Sequence, residues 1–220
     1  MEILIPAVLF IVAMVFVVLS TTQQRKNIRK YFSILGEELG LKLDMEDIDF
    51  FSSIFRDAHP ELNGTLLERF PVRIYMFSRG SGKHRKNFIA FDLSCRNHQR
   101  QRLILMREGI FRKIGKAMGM QQDIEVRDPE FDNRFIIKTS NHLFAKQILA
   151  DPDLREVFLQ HQHAFQAAAL KLDGDNIHFE IQATLSSRAV VNQIESMLEL
   201  SVLLAQRLEE MREGPSFEIG

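Results

Sequence analysis

The stretch PVRIYMFSRGSGKHRKNFIAFDL, Pro71 to Leu93, decides the fold, because its glycine-rich middle can be read as a phosphate loop, a nucleic-acid finger or a hairpin tip. A phosphate loop of the form G-x-x-x-x-G-K-[ST] needs glycine backbone to wrap the phosphates, a lysine to neutralise them and a hydroxyl to bind magnesium. With Gly82-Lys83 as the G-K pair, Phe77 stands where the first glycine belongs and His84 where the hydroxyl belongs. The residues that follow, NFIAFDL, alternate as a strand does, whereas a phosphate loop opens into a helix whose N-terminus faces the anion. A hairpin satisfies the pattern. Val72, Ile74 and Met76 share one side of the incoming strand, Ile89, Phe91 and Leu93 share one side of the outgoing strand, and Gly80 and Gly82 provide the turn. Its tip displays Arg79, Lys83, His84, Arg85 and Lys86 to solvent.

On either side of this hairpin the period of two persists from Asn63 to Arg107, through TLLERF, PVRIYMF, NFIAFDL and RLILM, which predicts antiparallel strands. RFIIKT (Arg134 to Thr139) is a further strand, and LKLDGDNIHFEIQA is a second hairpin turning at Asp173-Gly174. Helices are predicted from Asp44 to His59-Pro60, within Gly109 to Gly119, over HLFAKQILA behind Asn141, over DLREVFLQHQHAFQAAA behind Asp151-Pro152, and from Ser187 to Arg212. The last carries Val190, Ile194, Met197, Leu198, Leu204, Leu208 and Met211 at helical spacing, interrupted by Ser201 and Gln206, and is expected to pack across the sheet. Strands followed by helices, without βαβ alternation, indicate an α+β fold with a mostly antiparallel sheet.

Ahead of this domain, ILIPAVLFIVAMVFVVL (Ile3 to Leu19) has no charged or strongly polar residue. Extended through Ser20 to Thr22, it matches the roughly 20 helical residues that cover a bilayer's hydrocarbon. A cleaved signal peptide would need a basic n-region and a small-residue cleavage site, but the chain offers only Glu2 and the run VVLSTTQQRK. Arg25, Lys26, Arg29 and Lys30 lie behind the span and no lysine or arginine lies ahead of it, so the positive-inside rule leaves the C-terminal side in the cytoplasm and the N-terminus outside. The expected organisation is a transmembrane helix over 1–22, an amphipathic stalk helix over 23–40 with Ile28, Tyr31, Phe32, Leu35 and Leu39 on one face, and a cytoplasmic α+β domain over 41–220. The single cysteine, Cys95, makes no intramolecular disulfide, in keeping with a reducing compartment.

The net charge of -1 conceals a dipole. Val72 to Met118 holds twelve lysines and arginines against Asp92 and Glu108, whereas Gly119 to Gly220 holds nine against seventeen acids. For a domain tethered beside anionic lipid, each basic group near the surface contributes about 1 kcal/mol of attraction. Arg25, Lys26, Arg29 and Lys30 with Arg79, Lys83, Arg85 and Lys86, and the run RNHQRQR (Arg96 to Arg102), are therefore the expected lipid or anion contacts. Nucleic acid is the competing anion. A sheet that binds RNA should interleave aromatics with its basic residues, and only Phe88 and Phe111 stand out in that role.

The carboxylates of DPEFD, Asp128, Glu130 and Asp132, are the candidate catalytic groups for an enzyme acting on an anionic substrate at the membrane. The competing reading makes Asp128-Pro129 a turn, Phe131 a core anchor and the acids partners of nearby backbone amides. His161 and His163, two apart on a predicted helix, point to different sides and suit no metal; no motif calls for a cofactor. Together GSGKHRK (Gly80 to Lys86), QDIEVRDPEFDNRFII (Gln121 to Ile137) and ILADPDLREVFL (Ile148 to Leu159) resemble a group of bacterial proteins with one N-terminal membrane span and a cytoplasmic domain. Phe70-Pro71 replaces the glycine that the group would carry before VRI. The resemblance implies a single-pass topology and carries over no known activity; the expected location is a bacterial plasma membrane. The functional expectation is a membrane-anchored interaction or scaffold module, its basic face toward lipid and its acidic half toward a protein partner.

Overall fold

The computed structural model of the chain describes residues 4–44, 60–98, 100–107, 124–166 and 168–211, with side chains from residue 19 onward. Helix α1 (Leu4–Leu39) runs unbroken for 36 residues, a length of about 54 Å. Among the described residues no helix is long and apolar enough to cross a membrane. At its C-terminal end the Leu41 amide donates to the Gly36 carbonyl (2.8 Å) and the Gly40 amide to that of Glu37 (3.4 Å), with Gly40 at φ +65. These paired bonds satisfy carbonyls that a helix end leaves orphaned, and the left-handed residue between them turns the chain. Residues 23–40 do not stand apart from the domain: Phe32 and Leu35 are fully buried, and Ile28 is 7% exposed, in the same cluster as the sheet.

The turn delivers the chain directly into β1 (Lys42–Asp44), a short strand not anticipated from the sequence. β2 (Glu61–Leu66), β3 (Phe70–Arg79), β4 (Lys86–Ser94), β5 (Arg102–Arg107), β6 (Phe135–Thr139), β7 (Ala169–Asp173) and β8 (Asn176–Ile181) complete an eight-stranded sheet of order β1-β2-β3-β4-β8-β7-β5-β6. Every neighbouring pair is antiparallel. The inner face carries Val72, Ile74 and Met76 of β3, Ile89, Phe91 and Leu93 of β4, and Ile177, Phe179 and Ile181 of β8, all buried. These are the alternations read for the two hairpins, and the sheet registers them against one another as Phe91↔Phe179 and Leu93↔Ile177.

Across this face lie α1 and α5 (Arg188–Glu210), with α2 (Pro129–Asp132), α3 (His142–Ile148) and α4 (Pro152–Gln160) grouped near β6. Asn141 caps α3 by accepting from the Leu143 and Phe144 amides, and Asp151 caps α4 by accepting from that of Asp153. In α5 the interrupting Ser201 is fully buried and donates its hydroxyl to the Met197 carbonyl at 2.6 Å, so the apolar stripe tolerates it.

Three boundaries differ from the sequence reading. TLLERF is not a strand: β2 ends at Leu66, and Leu67 and Glu68 form the turn to β3 with φ of 50 and 55. The strand instead includes Asn63-Gly64, a turn-like pair kept extended because Leu41 packs there; a side chain on Gly64 would meet Leu41 at 2.7 Å. The helix predicted through the alanine run stops at Gln160, gives a 3₁₀ turn at Gln162–Phe165, and yields Ala169 to β7, where pairing with both β5 and β8 outweighs alanine's helix propensity. Asp44, read as a helix cap, ends β1; the rest of that helix and the one within Gly109 to Gly119 lie outside the described residues.

Two consequences can be measured. Burying a Phe, Leu or Ile side chain contributes roughly 1.5–3 kcal/mol, so losing Ile28, Phe32 and Leu35 removes an amount comparable with a domain's whole stability. A fragment of residues 41–220 should show no cooperative urea transition, whereas one of residues 23–220 should show one. The type I′ geometry at Leu67-Glu68 is strained for both side chains, and Leu67 is 66% exposed. Leu67→Asn with Glu68→Gly should raise stability by about 1 kcal/mol, seen as a higher urea midpoint at unchanged slope.

Candidate functional site

Residues of β3 that alternate away from the core place Arg73, Tyr75, Phe77 and Arg79 on the outer face of the sheet. Register sets Arg73 beside Asp92, Asp92 beside His178 and His178 beside Lys171 in one row, with Tyr75, Ala90 and Glu180 in the next. Ala90 is fully buried between its larger neighbours. The polar side chains close into one network. His178 Nδ1 lies 2.8 Å from Asp92 Oδ1 and its Nε2 lies 3.5 Å from Glu180 Oε2. Asp92 also accepts from Asn176 Nδ2 at 3.0 Å and from the Tyr75 hydroxyl. Arg79 donates twice to Glu180, at 3.0 and 2.7 Å, while Arg73 donates twice to Glu61, at 2.9 and 2.6 Å.

A histidine between two carboxylates is favoured in its charged form. The hydrogen bond to Asp92, then that to Glu180, raises His178 to about 9 against the penalty of burial. In return the bond to His178 draws both Asp92 and Glu180 down to about 2. Burial, followed by the bond to Asp92, pushes Tyr75 up to about 12. At neutral pH the network holds an imidazolium, two carboxylates and a neutral phenol. It has no group poised to exchange a proton near neutrality, which is what general acid–base chemistry requires.

Aromatic rings share this face. Phe77 and Phe88 stack with centroids 5.4 Å apart, and the Arg79 guanidinium lies 4.8 and 5.0 Å from their centroids. Arg73 covers Tyr75 at 4.8 Å. Aromatics and arginines are therefore interleaved on the sheet, a pattern already written in the alternation of Arg73, Tyr75, Phe77 and Arg79 along RIYMFSR and missed when only Phe88 and Phe111 were singled out. Arg79, expected as an anion contact, is engaged by a carboxylate and two rings.

The remaining expected contacts are at the surface. Between the last pair, Arg79↔Lys86, the loop turns through a 3₁₀ segment at Gly82–His84, and Lys83, His84, Arg85 and Lys86 are exposed. Arg85 donates to the Ser78 hydroxyl at 3.2 Å, and Ser78 donates to Asn87 at 2.9 Å, which ties the loop to its base. Arg25, Lys26, Arg29 and Lys30 are exposed on α1. Arg96, Arg100 and Arg102 of the third basic run are also exposed, Arg102 being bound to Asp173 at 2.8 Å.

The DPEFD carboxylates have other partners. Asp128 accepts from the Phe131 amide (3.2 Å) and from Arg155 Nε (2.9 Å), and the bond to Arg155 lowers its pKa. Asp132 accepts from the Val126 amide (2.9 Å) and the Asp128 amide (3.2 Å); Glu130 is exposed beside Arg134 at 3.7 Å. Phe131 is fully buried against Phe135 and Phe158. The segment rides on β6, which the strand order sets four strands, roughly 19 Å, from β4 and its basic loop. Burial pushes the Cys95 thiol up to about 12, the state of a packed cysteine rather than a nucleophile. His161 caps the end of α4 and lies 3.4 Å from Glu199. Among the described residues no cluster of histidine, cysteine and acidic side chains is arranged to hold a metal ion.

No family model, curated protein or solved structure matches the chain.

The network has a pH signature. A group whose folded pKa lies above its unfolded value stabilises the fold fully below the unfolded value and loses that contribution through the folded one. His178 should therefore stabilise the fold below about 6.5 and cease to do so as pH rises through about 9. Asp92 and Glu180 act oppositely, their contribution fading as pH falls from about 4 toward 2. Thermal melts of the full chain in mild detergent should show His178→Gln costing most near pH 6 and little at pH 10; an equal loss at both would mean that its charge is unimportant.

Proposed function

We propose that the protein is a single-pass membrane protein of a bacterial plasma membrane whose C-terminal α+β domain is a cytoplasmic interaction or scaffold module. The observation that carries this reading is the continuity of α1 from Leu4 to Leu39, with its second half built into the domain core. A helix whose first part has the composition of a span and whose last turns are core ties the domain to the bilayer without a flexible linker. The basic flank Arg25, Lys26, Arg29 and Lys30 sets the orientation, N-terminus outside. The resemblance of GSGKHRK, DPEFD and ILADPDLREVFL to single-span bacterial proteins points the same way.

An interaction role suits the outer face better than catalysis does. Its titratable groups are locked in opposite charge states, and its arginines stack on rings, an arrangement that builds a rigid polar surface. The enzyme alternative needs Asp128, Glu130 and Asp132 beside the basic loop, and the strand order separates them. The interleaved rings and arginines favour nucleic acid as a second reading, but Arg73 and Arg79 already hold Glu61 and Glu180, which a phosphate would have to displace.

Two experiments test the reading. The full chain should stay in the membrane fraction through alkaline carbonate, and a reporter fused after Gly220 should be active only in the cytoplasm; release by carbonate, or an active periplasmic reporter, overturns the topology. Pull-down of the detergent-solubilised chain should recover a protein partner that charge reversal at exposed residues of the acidic C-terminal half weakens.

A further inference from the structure

The basic loop and the basic turn of α1 project from the same end of the sheet. β1 and β3 run in the same sense, since each is antiparallel to β2. The reversal at Gly40 and Leu41 is only two residues long, so α1 arrives over the sheet against that sense, from the end toward which the β3–β4 tip points. Packing agrees: Gly36, four residues before Gly40, lies against Leu62, which pairs with Ile74, two residues nearer the tip than Val72.

The two projections also match in length. Leu41 packs on Gly64, which pairs with Val72, and from Val72 to Arg79 the strand advances about 23 Å. From Gly40 back to Arg25 the helix rises by the same distance, about 23 Å. Lys83, Arg85 and Lys86 thus stand near the level of Arg25, Lys26, Arg29 and Lys30. The stretch from Thr22, where the expected span ends, to Ile28, the first core residue of α1, rises only about 9 Å, close to the roughly 5–8 Å of one headgroup layer.

We infer that these two cationic clusters form a single coplanar seat on the phosphate plane of an anionic bilayer, so that the domain rests on two feet, the helix and the hairpin tip. The inference rests on the single-span reading above and adds to it a fixed tilt, with the outer sheet face and its Tyr75–Asp92–His178–Glu180 network held upright at the membrane surface rather than against it. Arg79 belongs to that face, not to the seat, because Glu180 and two rings hold it. Bilayer phosphate fits better than a soluble anion, because cations on two separate elements share a level without converging on one point.

Site-directed labelling of the full chain tests this. Cys95 is buried at 7% exposure, so under native conditions a thiol dye reports on an introduced cysteine alone. Ser81→Cys marks the hairpin tip, Lys26→Cys the helix cluster and Leu67→Cys the opposite end of the sheet. In vesicles of phosphatidylcholine with phosphatidylglycerol, the dye at Ser81 and at Lys26 should shift to the blue and be quenched by headgroup spin-labelled lipid, and the dye at Leu67 should not. The Ser81 response should be lost when Lys83, Arg85 and Lys86 become glutamate, and should weaken in 1 M salt, where the Debye length is about 3 Å, while the Lys26 response persists. Circular dichroism of each variant checks folding, and Ser78→Cys at the base of the loop serves as a second tip reporter. If the chain resists carbonate but Ser81 behaves like Leu67, the seat is overturned and the span survives. If carbonate releases the chain, both fall. A Ser81 response to a single-stranded oligonucleotide but not to vesicles would assign the tip to nucleic acid and overturn the seat.

Discussion

The joint between α1 and the sheet is the constraint on which the rest of the structure depends. Its parts are small and mutually dependent. Gly40 turns the chain in a conformation that other residues rarely adopt, Leu41 enters the core at once, and Gly64 leaves the space that Leu41 occupies. Because the turn has no slack, the position of α1 determines that of β1, and through β2 that of the β3–β4 hairpin. A flexible linker at this point would leave the orientation of the domain to diffusion. The joint makes the domain an extension of the helix.

A single cluster of apolar side chains continues from this joint across the sheet, and phenylalanine dominates it. Among its largest fully buried members are Phe32 of α1, Phe70, Phe91 and Phe179 of the strands, and Phe131, Phe135, Phe158 and Phe165 around β6. The chain has 18 phenylalanines and no tryptophan. Phenylalanine fills volume without an N–H or O–H to satisfy, which suits a core where helices of different lengths meet one sheet face and few polar partners are available. The rings around β6 meet edge to face or tilted, Phe135 touching Phe131, Phe158 and Phe165 at 4.8, 6.1 and 5.1 Å. That cluster explains DPEFD: Asp128 and Asp132 secure the backbone from Val126 to Phe131 so that the ring stays in place.

What was legible in the sequence was local. The alternation in VRIYMF and NFIAFDL, the caps at Asn141 and Asp151 and the long stripe of α5 all involve residues close together in the chain, and each appears in the structure. The β2 boundary was illegible because Asn63-Gly64 resembles a turn until Leu41, more than twenty residues earlier, is placed upon it. The outer-face network was hidden for a similar reason. Asp92 and His178 are 86 residues apart, and their meeting requires β8 to insert beside β4 rather than at an edge. One trace was available: Asp92 is one of two acids between Val72 and Met118, and an isolated carboxylate on the outward side of a strand in a basic region implies a cationic partner across the sheet.

The electrostatics of the two faces follow from that arrangement. On the outer face Arg73 is matched by Glu61, Arg79 by Glu180, His178 by Asp92 and Glu180, and Arg102 by Asp173. Such pairs are individually weak where they are exposed, yet as a network they offset part of the basic charge and keep long side chains in one geometry. The twelve-to-two excess of base over acid in Val72 to Met118 is thereby reduced along the strands, while Lys83 and Lys86 stand exposed at the loop that the last cross-strand pair, Arg79↔Lys86, closes. Charge left standing at an exposed tip acts through the solvent over about a Debye length, roughly 8–10 Å. A field of that range falls off before most of the folded core and acts chiefly on what faces the tip.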